Sequence, residues 1–283
     1  MTDEYGSNGL KIRYEKYRGI LAELTIMDDI FMRNVLNQPD CAEYLLRTVM
    51  ENKELKVLEC IVQRDFKNLQ GRSVSMDCVI QDIQNCRYDI EIQQDNEGAS
   101  LKRARYHSGL LDMNTLEPGQ DFDALPESFV IFITRNDVLG YGLSIYHIDR
   151  IGHENGKVFS DESHIVYVNS SIQDDTDLGR LMHDLYCKIA DEMYSEVLAK
   201  RVRELKETER GVEFMCRVMD ELYNEGKEEG REEGRKEGRE EGKREVVLSM
   251  AEMGISVEKI AQAAKESVSL VRQWISEGTV LAK

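Results

Sequence analysis

The chain has 283 residues, enough for one sizeable domain with extensions or for two domains. Its 41% hydrophobic content and three prolines describe a globular rather than a disordered protein, while 32% charged residues require a heavily solvated part. A formal net charge of −17 excludes broad non-specific binding to nucleic acid, because polyanions repel, so any such contact must be local.

Residues 10 to 24 mix Lys, Arg, Glu and Leu in a helical manner. Thr25 to Leu36 then sets Ile26, Ile30, Phe31, Val35 and Leu36 at helical spacing, with Asp28 and Asp29 in the first turn, where the macrodipole favours acids. Pro39-Asp40 restarts a helix through Leu45, Leu46 and Val49. Residues 55 to 63 are rich in β-branched side chains and read as extended, and Gly71 marks the entry to the next strand.

Two stretches carry the chemistry. Val74 to Ile80 and Arg87 to Gln94 both alternate with period two, so each reads as a half-buried strand. Tyr88, Ile90 and Ile92 fall on one face, which is packed; Asp89, Glu91 and Gln93 fall on the other. In the first strand Met76, Cys78 and Ile80 share the apolar side, leaving Asp77 opposite with Ser75 and Val79. A turn over Asp82 to Asn85 pairs the strands antiparallel and brings Asp77 beside the Glu91 face. Two carboxylates converging with a backbone carbonyl, here that of Ile92, make an all-oxygen site suited to Mg²⁺, which polarises a phosphodiester and acidifies an attacking water. The plainer alternative is a hairpin whose polar face is simply solvated.

After a polar loop, Leu101 to Met113 reads as a helix carrying Lys102, Arg103, Arg105 and His107, the most basic short stretch before the tail. Directly behind the acidic strand it is positioned to meet phosphates flanking a metal; its plainer reading is an ordinary solvated helix face. Phe129 to Thr134 is a continuous apolar run and so a fully buried strand, followed by strands at Leu143 to Ile148 and Ile165 to Val168. This order implies an α/β or α+β domain with one central strand protected by helices. From Thr176-Asp177 a long amphipathic helix runs through Leu178, Leu181, Leu185, Ile189, Met193 and Val197, and residues 200 to 225 continue helically.

Composition then changes abruptly. Gly226, Gly230, Gly234, Gly238 and Gly242 recur every fourth residue, separated almost entirely by Glu, Lys and Arg. On a helix each stripe drifts by about 40° per repeat, so no fixed face forms, and each Gly costs about 1 kcal/mol relative to Ala. A marginal, solvated spacer follows, with a flexible linker the favoured form. Beyond it come a short helix at Val246 to Met253, a stop at Gly254, a Ser256-capped helix and a third helix from Ser267 to Ile275. The pattern is similar to a helix-turn-helix, though only Lys259, Lys265 and Arg272 supply charge, and helical oligomerisation is the competing role.

Six cysteines at 41, 60, 78, 86, 187 and 216 form no Cys-x-x-Cys pair and read as reduced core thiols; the five histidines are scattered and suggest no role. The charged N-terminus lacks an apolar core segment, and no run of about eighteen apolar residues occurs, so a cytoplasmic protein is expected.

Taken as an ordered set, Met27 to Val35, the Asp77 strand, Tyr88-Asp89-Ile90-Glu91-Ile92-Gln93, Lys102-Arg103-Ala104-Arg105-Tyr106, Leu111-Asp112 and Phe129 to Thr134 resemble the Rpn family. These are bacterial recombination-promoting nucleases of the cytoplasm and of mobile elements, also called PD-(D/E)XK nuclease family transposases. The glycine-rich tail ending in short helices is similar as well. The resemblance implies a restriction-endonuclease-like mixed sheet flanked by helices (class α/β) with a helical C-terminal extension. The nuclease-like domain would occupy 1–200, the spacer 201–245 and the small helical tail 246–283. It implies a Mg²⁺- or Mn²⁺-dependent DNA endonuclease in which Asp77 and Glu91 bind the metal. Gln93 would stand where the wider superfamily has lysine, and Lys102, Arg103 and Arg105 would contact DNA. Two other functions stand beside it: an inactive relative that binds DNA or a partner, and an oligomeric scaffold built on the C-terminal helices.

Overall fold

The computed structural model describes residues 3–66 and 74–281; Gly71 and the side chain of Ser75 lie outside the described residues. Three helices open the chain, α1 (Asp3–Glu23), α2 (Asp29–Leu36) and α3 (Pro39–Val49). The strands β1 (Val57–Phe66), β2 (Val74–Asp82) and β3 (Arg87–Gln93) follow, then α4 (Leu101–Met113), β4 (Ser128–Thr134), β5 (Ile145–Ile148) and β6 (Ser163–Asn169). The remainder is helical: α5 (Asp177–Tyr186), α6 (Glu196–Glu207), α7 (Glu209–Glu252), α8 (Val257–Ala264) and α9 (Val268–Leu281).

Among the described residues the strands form one six-stranded mixed sheet in the order β1-β2-β3-β4-β6-β5. β3 runs parallel to β4 and β4 parallel to β6, while the remaining neighbours are antiparallel. Helices flank this sheet, making the protein α/β with a long C-terminal helical region. The apolar run of β4 lies at its centre, where Ile131, Phe132 and Ile133 are wholly buried, because a strand paired in parallel on both sides is covered on both faces. α4 connects β3 to β4 and packs on β4 and β6, burying Ala104 with Val130, Phe132 and Tyr167.

The alternation of β3 predicts a half-buried strand with only the Tyr88, Ile90 and Ile92 face packed, and the structure corrects this. Its residues from Tyr88 to Ile92 are all buried, Asp89 and Glu91 included. The reason is non-local: β3 is an interior strand, and α4 crosses the face that carries its acids. A second correction concerns the long helix predicted from Leu178 to Val197, which is broken between α5 and α6. Asp184, wholly buried, accepts the N–H groups of Tyr194 and Ser195, each at 2.8 Å, and so folds the chain back; Ser195 then caps α6 by accepting the Leu198 N–H.

The contacts divide the chain into two compact units, Met1–Cys216 and Arg217–Lys283. The glycine repeat is helical throughout, within the 44 residues of α7, where a flexible linker was favoured. Met215 and Cys216 are buried near one end of α7 and Val247 near the other, so the helix propagates between anchored segments and no free nucleus is required. A Cβ on Gly226, Gly230, Gly234, Gly238 or Gly242 would meet nothing within 4 Å. Replacing all five by alanine should therefore strengthen the helix by about 1 kcal/mol per site, read as increased helical circular dichroism and a later melt of this segment. Unchanged helicity would contradict the helix as described.

In the C-terminal unit Val247, Ile260, Ala261, Val271 and Trp274 form a small core. Gly254 turns with φ +75°, and Arg244 pairs with Glu277 at 2.9 Å. Ser256 occupies the cap position of α8 without a side-chain cap hydrogen bond, whereas Ser267 accepts the Leu270 N–H. All six cysteines are free thiols, four of them buried. No helix among the described residues is long and apolar enough to cross a membrane.

Candidate functional site

The turn over Asp82 to Asn85 joins β2 to β3 as expected, with Asn85 at φ +72° and the Asp82 carboxylate accepting the Gln84 and Cys86 N–H groups. The ladder between these strands runs from Gln81–Arg87 to Cys78–Ile90. One step further, side chains replace the backbone ladder. The Asp77 N–H donates to Glu91 Oε1 at 3.0 Å, and the Ile92 N–H donates to the Asp77 carboxylate. The strands thus part at a notch holding two carboxylates. In an extended strand a residue's N–H and C=O leave on the same edge, so the Ile92 carbonyl faces the Asp77 side.

Asp77 lies at the more open part, its side chain 13% exposed, with Arg33 of α2 at 3.6 Å. Arg33 is held in turn by Asp29 at 2.6 Å, one helical turn earlier. Burial and then the nearby Asp29 push the Asp77 carboxyl up to about 6, against the pull of Arg33 and Arg103. Glu91 is wholly buried. Its Oε2 faces the Gln93 amide and Arg103, each at 3.4 Å, and burial followed by Asp89 and Asp77 raises it to about 9.

Behind Glu91 lies a pair that the residue pattern left without a role. His107 Nδ1 is 2.9 Å from Asp89 Oδ2, and His107 Nε2 is 3.2 Å from Arg103 Nε. A guanidinium only donates, so Nε2 must accept, the ring is neutral, and its proton sits on Nδ1 facing Asp89. Burial lowers His107, in keeping with that neutral form, and burial raises Asp89 well above the carboxylate range. Asp89, Glu91 and His107 also bring three ligand atoms within 4.8 Å of one another. With the Nδ1 lone pair protonated and Nε2 taken by Arg103, however, this triad does not fit a metal. Asp77, Glu91 and the Ile92 carbonyl fit one better, being all oxygen and partly open.

The structure brings Asp77, Glu91, Ile92 and Gln93 together. Of the basic residues on α4, Arg103 turns inward to Glu91, while Lys102 and Arg105 are exposed. Gln93 is accommodated by Gly98, where an added Cβ would come within 2.0 Å of the Gln93 Oε1. Asp28 stands at the N-cap of α2, one residue before the first turn that holds Asp29, and its carboxylate accepts the Thr25 N–H and hydroxyl and the Gln94 amide, tying the start of α2 to the end of β3. Asp29 and Arg33, spaced i,i+4, give a local signal of pairing, but their approach to Asp77 is tertiary.

The raised Glu91 carboxyl has a measurable consequence for the metal-free protein. A folded-state value above the unfolded one means the contribution is complete below the unfolded value and is lost as pH rises through about 9; Asp77 acts with the same sign up to about 6. Glu91→Gln keeps an acceptor for the Asp77 N–H and removes the titration. In EDTA the variant should melt above the wild type at about pH 8 and converge with it at about pH 4, and parallel melting-versus-pH curves would refute the assignment.

Comparison of the chain with protein-family models, with curated proteins and with solved structures finds no match in any of the three.

Proposed function

We propose that this chain is a divalent-metal-dependent DNA endonuclease with a restriction-endonuclease-like core, hydrolysing phosphodiester bonds as its resemblance to recombination-promoting nucleases implies. The observation that carries the reading is the notch beyond Cys78 and Ile90, where the Glu91 carboxylate accepts the Asp77 N–H and the Asp77 carboxylate accepts the Ile92 N–H. The two carboxylates and the Ile92 carbonyl would hold Mg²⁺ or Mn²⁺, which supplies Lewis acidity to the scissile phosphate and acidity to its attacking water.

The chain's own residues have separable tasks in this reading. The Asp77 N–H and Arg103 hold Glu91 in one orientation. Arg103, with 39% of its side chain exposed, also offers donors to a phosphate, and Lys102 and Arg105 extend a positive edge along α4. Gln93 contributes only hydrogen bonding, since its amide carries no charge to oppose that on phosphorane oxygens. Phe132 and His107, in edge-to-face contact at 5.7 Å, are both wholly buried.

A second reading, a catalytically silent protein that binds DNA or a partner, is favoured by the full burial of Glu91 and by glutamine at position 93. Incubation of the pure protein with supercoiled plasmid in Mg²⁺, Mn²⁺ or EDTA separates the two. Nicking that requires a divalent ion supports the nuclease, and an inert protein with every ion transfers the proposal to the binding role.

A further inference from the structure

The end of α5 carries a cluster independent of the notch between β2 and β3. His183 lies in the last turn and Cys187 four residues later at the C-cap, positions that share one face of a helix. Cys187 Sγ is 3.5 Å from His183 Nδ1, and that nitrogen is 3.3 Å from Asp184 Oδ1. All three ligand atoms lie within 4.8 Å of one another. A tetrahedral Zn²⁺ with bonds of about 2.3 Å to sulfur and about 2.0 Å to nitrogen or oxygen sets neighbouring donors about 3.3 to 3.5 Å apart, which the sulfur–nitrogen and nitrogen–oxygen pairs match, the sulfur–oxygen pair lying within 4.8 Å.

The surroundings also suit a cation. Asp184 is buried, the carbonyls of His183 and Glu192 lie 3.5 and 3.7 Å from Cys187 Sγ, and the cluster sits at the negative end of the α5 dipole. Tyr194 walls one side, its ring 4.9 Å from the imidazole, and the His183 side chain is 36% exposed, which leaves an approach from solvent. Asp184 already accepts two backbone N–H groups, but each carboxylate oxygen keeps a further lone pair.

We propose that His183 Nδ1, Cys187 Sγ and Asp184 Oδ1 form a binding site for a borderline-soft divalent ion of the Zn²⁺ class, with a fourth position open to water. The mixed nitrogen, sulfur and oxygen set selects Zn²⁺ or Co²⁺ over Mg²⁺, which takes oxygen donors. On binding, the Cys187 S–H bond breaks, its proton passes to solvent, and the sulfur lone pair forms the bond to the metal. The ion would pin the segment between α5 and α6 that Asp184 already folds back.

Titration of the metal-free, full-length protein with Co²⁺ tests this, because a thiolate-to-cobalt charge-transfer absorption reports sulfur ligation and is blind to the carboxylate notch. Expected are one such band per chain, its displacement by Zn²⁺ but not Mg²⁺, and its persistence in Asp77→Asn/Glu91→Gln. Cys187→Ser should abolish the band, and the half-exposed His183→Gln, which leaves the core intact, should weaken Co²⁺ binding by more than about tenfold. Absence of the band in the wild type, or its survival in Cys187→Ser, would overturn the proposal.

Discussion

Asp77→Asn and Glu91→Gln should each lower single-turnover nicking of supercoiled plasmid by at least about a thousandfold, because each replaces a charged metal-binding oxygen by a neutral one. Both substitutions are nearly isosteric. Asp77 is partly open, and glutamine at 91 still accepts the Asp77 N–H, so the fold should persist in both, as circular dichroism would report. Glu91→Gln is the sharper test, for it should be less active yet more stable above neutral pH, a combination that damaged folding does not produce. Gln93→Ala should slow the reaction less than either, and Gln93→Lys should be tolerated or faster, since an ammonium adds the charge that the amide lacks. Arg103→Ala should weaken DNA binding and also loosen Glu91, whereas Arg105→Ala should affect binding and its salt dependence alone. Nicking at the wild-type rate by either carboxylate variant would remove the metal assignment.

The largest structural effect is expected at Asp184. Alanine there would leave the Tyr194 and Ser195 N–H groups without their charged acceptor, at about 1–3 kcal/mol each, so unfolding should be easier by about 3–5 kcal/mol. Asp184→Asn should fall between alanine and wild type, because the amide oxygen can serve one of the two donors while its NH₂ repels the other. Chemical denaturation of the metal-free variants measures this, and an alanine variant within about 0.5 kcal/mol of wild type would show that the break between α5 and α6 does not depend on this carboxylate.

Most elements were legible because their signals are local. The Leu101–Met113 helix, the turn at Asp82 to Asn85, the buried run of β4 and the antiparallel pairing of Asp77's strand with Glu91's are written in adjacent residues, through caps, turn formers and periodicity. The same alternation placed Asp77 and Glu91 at one notch. It assigned Glu91 to a polar face opposite the packed one, however, because period two tells which side chains share a face and not what covers that face. Likewise the apolar positions from Leu178 to Val197 do keep helical spacing, yet the helix ends at Tyr186.

By itself, then, the sequence determined the order of the helices and strands through β6 and the pairing of the two acidic strands, which rest on contacts between near neighbours; the glycine repeat, whose composition favours a flexible linker, is instead one continuous helix anchored by buried residues near both of its ends. Tertiary structure alone decided that α4 lies across β3, burying Glu91 and Asp89 beneath Arg103 and His107, and that Arg33 of α2 reaches Asp77. It also decided that Asp184 reverses the chain before α6. Each of these depends on a polar group finding its partner across the fold, and in a buried site that partner sets orientation and proton occupancy, quantities that no local pattern of residues contains.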